Sequence, residues 1–503
     1  MLAAVPGRAL ASTSLYWGWA YIPDNTSVAN SGIAVTRLDG SGGGTVPLAA
    51  GVAEHPLGEA IDAATGTIYW ASFGNSINYC SGPLTGGNTI SYAKLNGTGV
   101  GTLNTAGATV SGPDGLAIDP TAHRIYWAND HANSISYADE NGGGGHDLNT
   151  AGATLDCPAG IAVDPALGKI FWTNFHGNTI SYANLDGSGG GDLPIAQQAI
   201  SGPWGLAIDS ANGKLYWANY DSNSIGYANL DGSGTDILRT TGATVQGPWG
   251  VAIDPSAGLI YWANNTGTTV SYSKLDETGA GNLSTSGAPV DHPKYPMLLE
   301  PPVGTGSPRI SGGGTIGSQL ACSPGIWAAD LPESFLYRAP EDLAYRWLRD
   351  GVPVGSSSSA ISANLPGNYV CQVTASNFAG SSAQASAGFI VTAPASNAVL
   401  VMSHRASKQG VIALTVLLHA PGSLSVTATF EQKVGKRVRT GVYGRGTVGV
   451  TLAGIAKLTV DPRSRARTRL SVGRAVTVTV ALTFRRVDGA VAHARVRLVI
   501  TSP

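Results

Sequence analysis

The chain has 503 residues, more than one hydrophobic core usually spans, so two to four domains are expected. With 68 glycines and 12% charged residues it is too apolar for a disordered chain and too glycine-rich for a helical one, and no run of ~18 apolar residues reads as a membrane-spanning helix. The formal net charge of −2 hides a gradient: residues 1–302 carry nine basic and twenty-four acidic side chains, 303–394 four and five, and 395–503 seventeen and three, a polarity that bears on partners rather than fold.

Residues 1–13, "MLAAVPGRALAST", read as the end of a secretory leader, a short apolar stretch followed by the small-residue pattern Ala9-Leu10-Ala11. An exported chain is therefore expected, and nucleic acid is not an expected partner.

From residue 14 the chain repeats. Trp17, Trp70, Trp127, Trp172, Trp217 and Trp262 each sit in an aromatic pair, and the last four are 45 residues apart. A fixed period of ~40–50 residues marks a solenoid or propeller. The unit 203–247 is predicted to hold four strands, Leu206–Asp209, Lys214–Asn219, Ser224–Leu230 and Asp236–Arg239. Asp119-Pro120 and Asp254-Pro255 are turn chemistry, and Asp231-Gly232 is a hairpin signal. Four short antiparallel strands per repeat make a propeller blade, with Trp and Tyr filling the space between blades. The chain enters at "SLYWGWAY" (14–21), a second strand, and "KYPMLLE" (294–300) supplies the missing first one. Six blades follow, closed by a strand from the far end, which removes free edges.

The motifs "IYWAN", "IFWTN" and "LYWAN", followed by "LDGSG", resemble the YWTD propeller of LDL-receptor class B repeats, and "GLAIDP" and "GIAVDP" are similar to the NHL repeat. The resemblance covers residues 14–302 and implies a mostly extracellular, protein-binding family. Asn129, Asn174, Asn219 and Asn264 stand where that family usually has Asp, and the Cys-rich modules of its animal members are missing, so its ligands do not carry over.

After the linker "PPVGTGSP" (301–308), Cys322, Trp347 and Cys371 follow in immunoglobulin-like order, with Tyr369 two residues before the second Cys. Residues 303–393 look like a bacterial Ig-like module with a Cys322–Cys371 disulfide. Cys80 lies in an insertion of the second blade and Cys157 before the fourth. Their loops share a face, so a second bridge is possible, although blade three lies between them; two disulfides would suit an oxidising compartment. Residues 394–503 read as a second, basic β-sandwich, from "VIALTVLLH", "LSVTATF", "AVTVTVALTF" and "AHARVRLVI". Arg463, Arg465, Arg467 and Arg469 alternate there, as do His493, Arg495 and Arg497. If extended, each set lies on one strand face, suited to an anionic cell-envelope polymer or to an ordinary solvated surface. The fold class is thus all-β: a six-bladed β-propeller and two sandwiches.

Loops between strands two and three share one propeller face with those between blades, and loops carry function more often than scaffolds do. That face holds Phe73, Tyr79, Asp114, Asp130, His131, Phe175, His176, Trp204, Tyr220, Asp221, Trp249 and Lys294. Trp204, Trp249, Phe175, His176, Tyr220, Asp221, His131 and Asp130 form the candidate platform for a protein or glycan. Against this, Trp204 and Trp249 could instead cap the core. His131, His176 and Asp221 occupy matching positions in successive blades, too far apart to share a metal. Glu59 breaks the repeat, "GEAID" against "GLAID", "GIAVD" and "GVAID"; a carboxylate there either faces channel water or marks a site. Nucleophile, zinc-protease and P-loop spacings are missing. The leading expectation is a non-enzymatic, secreted or envelope-associated recognition or adhesion protein without a cofactor. The alternative, implied by resemblance to NHL and gluconolactonase-type propellers, is a lactonase or lyase with Ca²⁺ or Zn²⁺ in the channel and Glu59 as the first ligand to test.

Overall fold

A computed structural model describes residues 13–21, 30–49, 51–73, 79–81, 87–392, 399–434, 437–471, 475–487 and 489–500. The leader-like residues 1–12 lie outside these. The fold is all-β, and its first part is a β-propeller.

Five four-stranded antiparallel sheets and one five-stranded sheet follow one another through the first part of the chain. The five-stranded sheet takes Ser14–Tyr21, Asn30–Arg37 and Gly43–Thr45 from the start of the chain and Pro296–Leu299 from after the last repeat. Ser14 pairs with Leu299 and Trp17 with Pro296. Each sheet's first strand touches the next, from Pro56–Asp62 through Pro113–Asp119, Pro158–Asp164, Pro203–Asp209 and Pro248–Asp254 to Pro296–Leu299. The ring is therefore closed by pairing between the strand Ser14–Tyr21 and the strand that follows the last repeat, Pro296–Leu299. In the unit 203–247 the observed strands are Pro203–Asp209, Lys214–Asn219, Ser224–Asn229 and Asp236–Ile237. The inner strand starts three residues before its expected position, because burial rather than alternation governs it.

All six repeat tryptophans are fully buried. Trp127, Trp172, Trp217 and Trp262 each donate Nε1–H to the carbonyl eighteen residues earlier, at Thr109, Thr154, Ala199 and Thr244. The Trp17 indole donates instead to Pro289 at 2.9 Å, across the closure. Trp70 Nε1 is buried without a partner. The buried Asn129, Asn174 and Asn264 accept the N–H of Ser111, Asp156 and Gln246 and donate Nδ2–H to Ser136, Ser181 and Ser271. An amide can do both, whereas an ionised Asp could only accept. The repeated Asp62, Asp119, Asp164, Asp209 and Asp254 accept backbone N–H groups two or three residues on, closing the turns.

The described residues pack as two compact units. The first joins residues 1–311 to 321–361 and 369–388. Within it the 3₁₀ turn Pro332–Ser334 lies against four inner strands, from Pro113–Asp119 to Pro248–Asp254. Ser334 Oγ donates to the Ile208 carbonyl, and Leu336–Tyr337 pairs in parallel with Leu298 and Leu299. Ser334, Leu336 and Tyr337 are fully buried. This segment closes the end of the ring where the inner strands finish. Cys322 and Cys371 form a disulfide, and Trp347, opposite Cys371 in the sheet, is fully buried.

The second unit contains residues 389–503 and pieces 312–320 and 362–368. Leu400–Ala406, Ile412–Leu418 and Gly454–Val460 form one sheet, and Gly422–Val434, Arg437–Val450, Val476–Arg486 and Val491–Ile500 another. They share one apolar core, including Leu414, Val416, Leu424, Val426, Val478 and Val480. The first arginine series is not on a strand. Ser464–Ser471 is an α-helix with Ala466 and Leu470, four apart, buried. At 3.6 residues per turn, every second residue falls on nearly opposite sides, so Arg465 and Arg467 do not share a face, and Arg463 precedes the helix. His493, Arg495 and Arg497 do lie on one strand and are exposed. No helix among the described residues is long and apolar enough to cross a membrane.

The closure bond gives a test. Trp17→Phe and Trp70→Phe leave similar small voids, but only the first removes a hydrogen bond. Trp17→Phe should cost about 0.5–1.5 kcal/mol more than Trp70→Phe in denaturant unfolding.

Candidate functional site

The inner strands begin alike: Pro56-Leu57-Gly58, Pro113-Asp114-Gly115, Pro158-Ala159-Gly160, Pro203-Trp204-Gly205, Pro248-Trp249-Gly250 and, at the closure, Pro293-Lys294-Tyr295. The glycine column is there because adjacent strands touch backbone to backbone. A Cβ on Gly160 would lie 2.5 Å from Gly205 Cα, and one on Gly205 2.6 Å from Gly250 Cα. The column before it varies, and it brings together Asp114, Trp204, Trp249 and Lys294.

These side chains are buried together. Trp204 and Trp249 are 2% and 3% exposed, with ring centroids 4.0 Å apart. Tyr79 packs edge-on against both, at 5.2 Å from each. It is carried on the insertion that Cys80 ties to Cys157. Cys157 stands where three repeats have Gly112, Gly202 and Gly247, and it keeps their left-handed backbone with φ 56°. Lys294 Nζ sits 3.9 Å from the Trp249 ring centre and 3.4 Å from the Tyr79 hydroxyl. The Tyr295 hydroxyl donates to Asp114 Oδ1 at 2.9 Å.

Glu59 does not face channel water. It is fully buried against Gly18 of the neighbouring sheet, where a Cβ would lie 2.0 Å from its Oε1. Other repeats hold Ala71 with Leu116, or Ala128 with Ile161, at the two matching positions. The missing methyl at Gly18 makes room for the longer acid. Neither Glu59 oxygen has a hydrogen-bond partner, and the same holds for Asp114 Oδ2, Trp204 Nε1 and Trp249 Nε1. The Gly18 N–H and the Trp204 indole lie near enough to lower the pKa of Glu59 and Asp114 respectively without reaching bonding geometry.

Burial pushes the Glu59 carboxyl well above its ordinary 4.5, against the nearby Lys294 ammonium and with Asp114 adding to the rise. Burial likewise raises Asp114, and Asp130 raises it further. Burial lowers Lys294 to about 8, opposed by Asp114 and Glu59. Asp130, raised to about 6 by burial, holds His131 Nδ1 and accepts the Cys80 N–H. Two acids and one amine with shifted pKa values could in principle exchange protons.

The structure divides the expected loop platform. Trp204, Trp249 and Asp130 are buried, since the aromatics stack over the channel instead of facing solvent. Phe175, Tyr220 and His131 are half-buried, and His176 and Asp221 are exposed. Phe175 packs on Trp204 at 4.5 Å and Tyr220 on Trp249 at 5.7 Å. His131, His176 and Asp221 do not converge. Among the described residues, the metal-compatible grouping found is His176 with Cys80 and Cys157, whose sulfurs are already bonded to each other.

No family model matches this sequence, and no curated protein matches it. Solved structures do. A chain of a nidogen/laminin complex is 19% identical, with a TM-score of 0.45, over 57% of this chain and 98% of that one. A candidate 6-phosphogluconolactonase from Bacteroides uniformis is 13% identical, with a TM-score of 0.36, over 54% and 81%. Its counterpart from Bacteroides fragilis is 16% identical, with a TM-score of 0.35, over 55% and 82%. At such identities they say nothing of activity.

Gly18→Ala alone should destabilise by about 1–3 kcal/mol through overpacking. Glu59→Leu should stabilise by about 1–3 kcal/mol at neutral pH, by removing an unpartnered buried carboxyl. In the Glu59→Leu background, Gly18→Ala should cost little. The sign with pH follows from the raised pKa: Glu59 favours the fold below about 4.5, where it is protonated in both states, and loses that contribution as pH rises through its folded value. The advantage of Glu59→Leu should therefore shrink as pH falls toward 4.5, which urea melts across pH would read.

Proposed function

We propose that the chain is a non-enzymatic extracellular recognition or adhesion protein. On this reading a six-bladed propeller of YWTD or NHL type carries an Ig-like module and a second, basic sandwich. One observation carries the reading: the groups that could do chemistry are sealed in. Glu59 and Asp114 have no exposed surface, with Tyr79, Trp204 and Trp249 over one end of the ring and the Pro332–Tyr337 segment in the other. A substrate would have to displace one of these covers. Of the candidate platform residues on the loop face, solvent reaches His176 and Asp221, flanked by Phe175, Tyr220 and His131. These are the residues assigned to contact a protein or glycan ligand.

The exposed His493, Arg495 and Arg497 face is assigned to an anionic polymer of the cell envelope, an attachment weakened by salt. Two disulfides fit an oxidising location outside the cell.

The unpartnered Glu59 carboxyl and the free Oδ2 of Asp114 favour the second reading, a metal-dependent lactonase or lyase. Their surroundings do not fit a divalent cation. Lys294 already supplies the countercharge, and among the described residues no three carboxylate or His groups there bring ligand atoms within 4.8 Å of one another.

The full-length protein should bind members of a protein or glycan array, and His176→Ala/Asp221→Ala should abolish those hits without changing the melting temperature. Elemental analysis should find no stoichiometric Ca²⁺ or Zn²⁺. About one equivalent of metal, lost in Glu59→Gln, would instead establish the enzyme reading.

A further inference from the structure

A second concavity lies where the inner strands finish. It has a volume of about 650 Å³, within the range of small-molecule sites. Its walls are the turns after three inner strands together with the segment that plugs the ring. Five carboxylates line it: Asp62, Glu140, Asp164, Asp330 and Glu333. The one basic side chain in the lining is His123, which is 77% exposed. Pro120, Pro165, Leu331 and Pro332 supply apolar wall between the acids.

The acids are not equally engaged. Asp62, Asp164 and Asp330 accept hydrogen bonds from turn residues, from Ser210 and from the Arg338 and Ala339 N–H groups. Glu333 is only 7% exposed, and its carboxylate accepts from its own backbone N–H. Burial raises its pKa to about 7, opposed by its own backbone N–H and by Arg338 and helped by Asp164 and Asp209. Glu140 Oε1 is buried without a partner, its other oxygen lying 3.4 Å from His123 Nδ1. An unsatisfied Glu140 oxygen and a Glu333 carboxylate held by its own backbone N–H therefore line a predominantly acidic cavity, where field lines concentrate.

We infer that this cavity binds an organic cation, an ammonium or guanidinium group on a short alkyl chain. A bare metal ion is the wrong shape for it. No three of the five carboxylates bring an oxygen within 4.8 Å of one another, so the charge is spread around the wall rather than focused on a point. Spread acids with proline and leucine between them suit a cationic head on an apolar stem, with Glu333 and Glu140 taking the donors. The cation is either a free amine or a Lys or Arg side chain of a partner. This site is independent of the loop-face reading, because it uses none of the same residues.

Calorimetric titration of the full chain at low salt with agmatine, and separately with a capped lysine tripeptide, tests it. At least one should bind with a sub-millimolar Kd. Glu333→Gln and Glu140→Gln should each weaken binding about tenfold, while the exposed Glu54→Gln and the His176→Ala/Asp221→Ala protein should bind as wild type. Binding of agmatine alone assigns a small-molecule site, and binding of the peptide assigns a partner's side chain. Binding of neither probe, or binding unchanged in both Glu333→Gln and Glu140→Gln, overturns the inference. Thermal melts of the two amide variants separate lost binding from lost folding.

Discussion

Everything in the first unit depends on the strand Pro296–Leu299 returning to pair with Ser14–Tyr21. An open run of such sheets would leave two unpaired edges and one unfilled gap between sheets. The pairing closes both, and Trp17 repeats across the seam the indole-to-carbonyl bond that the later repeats make internally. It also means that the first sheet is not complete until the chain beyond residue 290 has arrived. That places a contact of very high sequence separation in the path of folding, which is entropically slow to form.

The same closure creates the irregularity at the centre. The returning strand does not copy the glycine column, and it brings Lys294 and Tyr295 to positions that hold Trp-Gly in the two sheets before it. Lys294 then needs company in a buried place, and Asp114 and Glu59 supply opposite charge. Replacing a buried ion cluster by apolar side chains is often neutral or stabilising, so such groups are weak ground for stability. Here they accompany a missing methyl at Gly18 and an insertion stapled by Cys80–Cys157, each a departure from the repeat.

The opposite end is closed by a different device. The turn Pro332–Ser334 and the strand after it come from beyond the propeller repeats, yet they are as buried as the propeller core. This packing forms the acidic cavity, since two of its five carboxylates come from the inserted segment and three from the propeller.

The sequence alone determined the repeat, the closure and the strands, because a 45-residue period, buried Trp and Asp-led turns are local signals that tertiary packing does not override. Lys214–Asn219 and Ser14–Tyr21 fall where periodicity puts them. It also marked Glu59, Asp114 and Lys294, though as separate residues. That they form one cluster was decided by the ring, which sets side by side positions up to 235 residues apart. Alternation misread Arg463 to Arg469, since a period of two predicts a strand only if the backbone is extended, and the burial of Ala466 and Leu470 made that segment a helix. Exposure was the other thing sequence could not give. Trp204 and Trp249 sit in loop-face positions, but their rings stack on each other and under Tyr79, because an aromatic at the mouth of a closed ring gains more from its neighbours than from water.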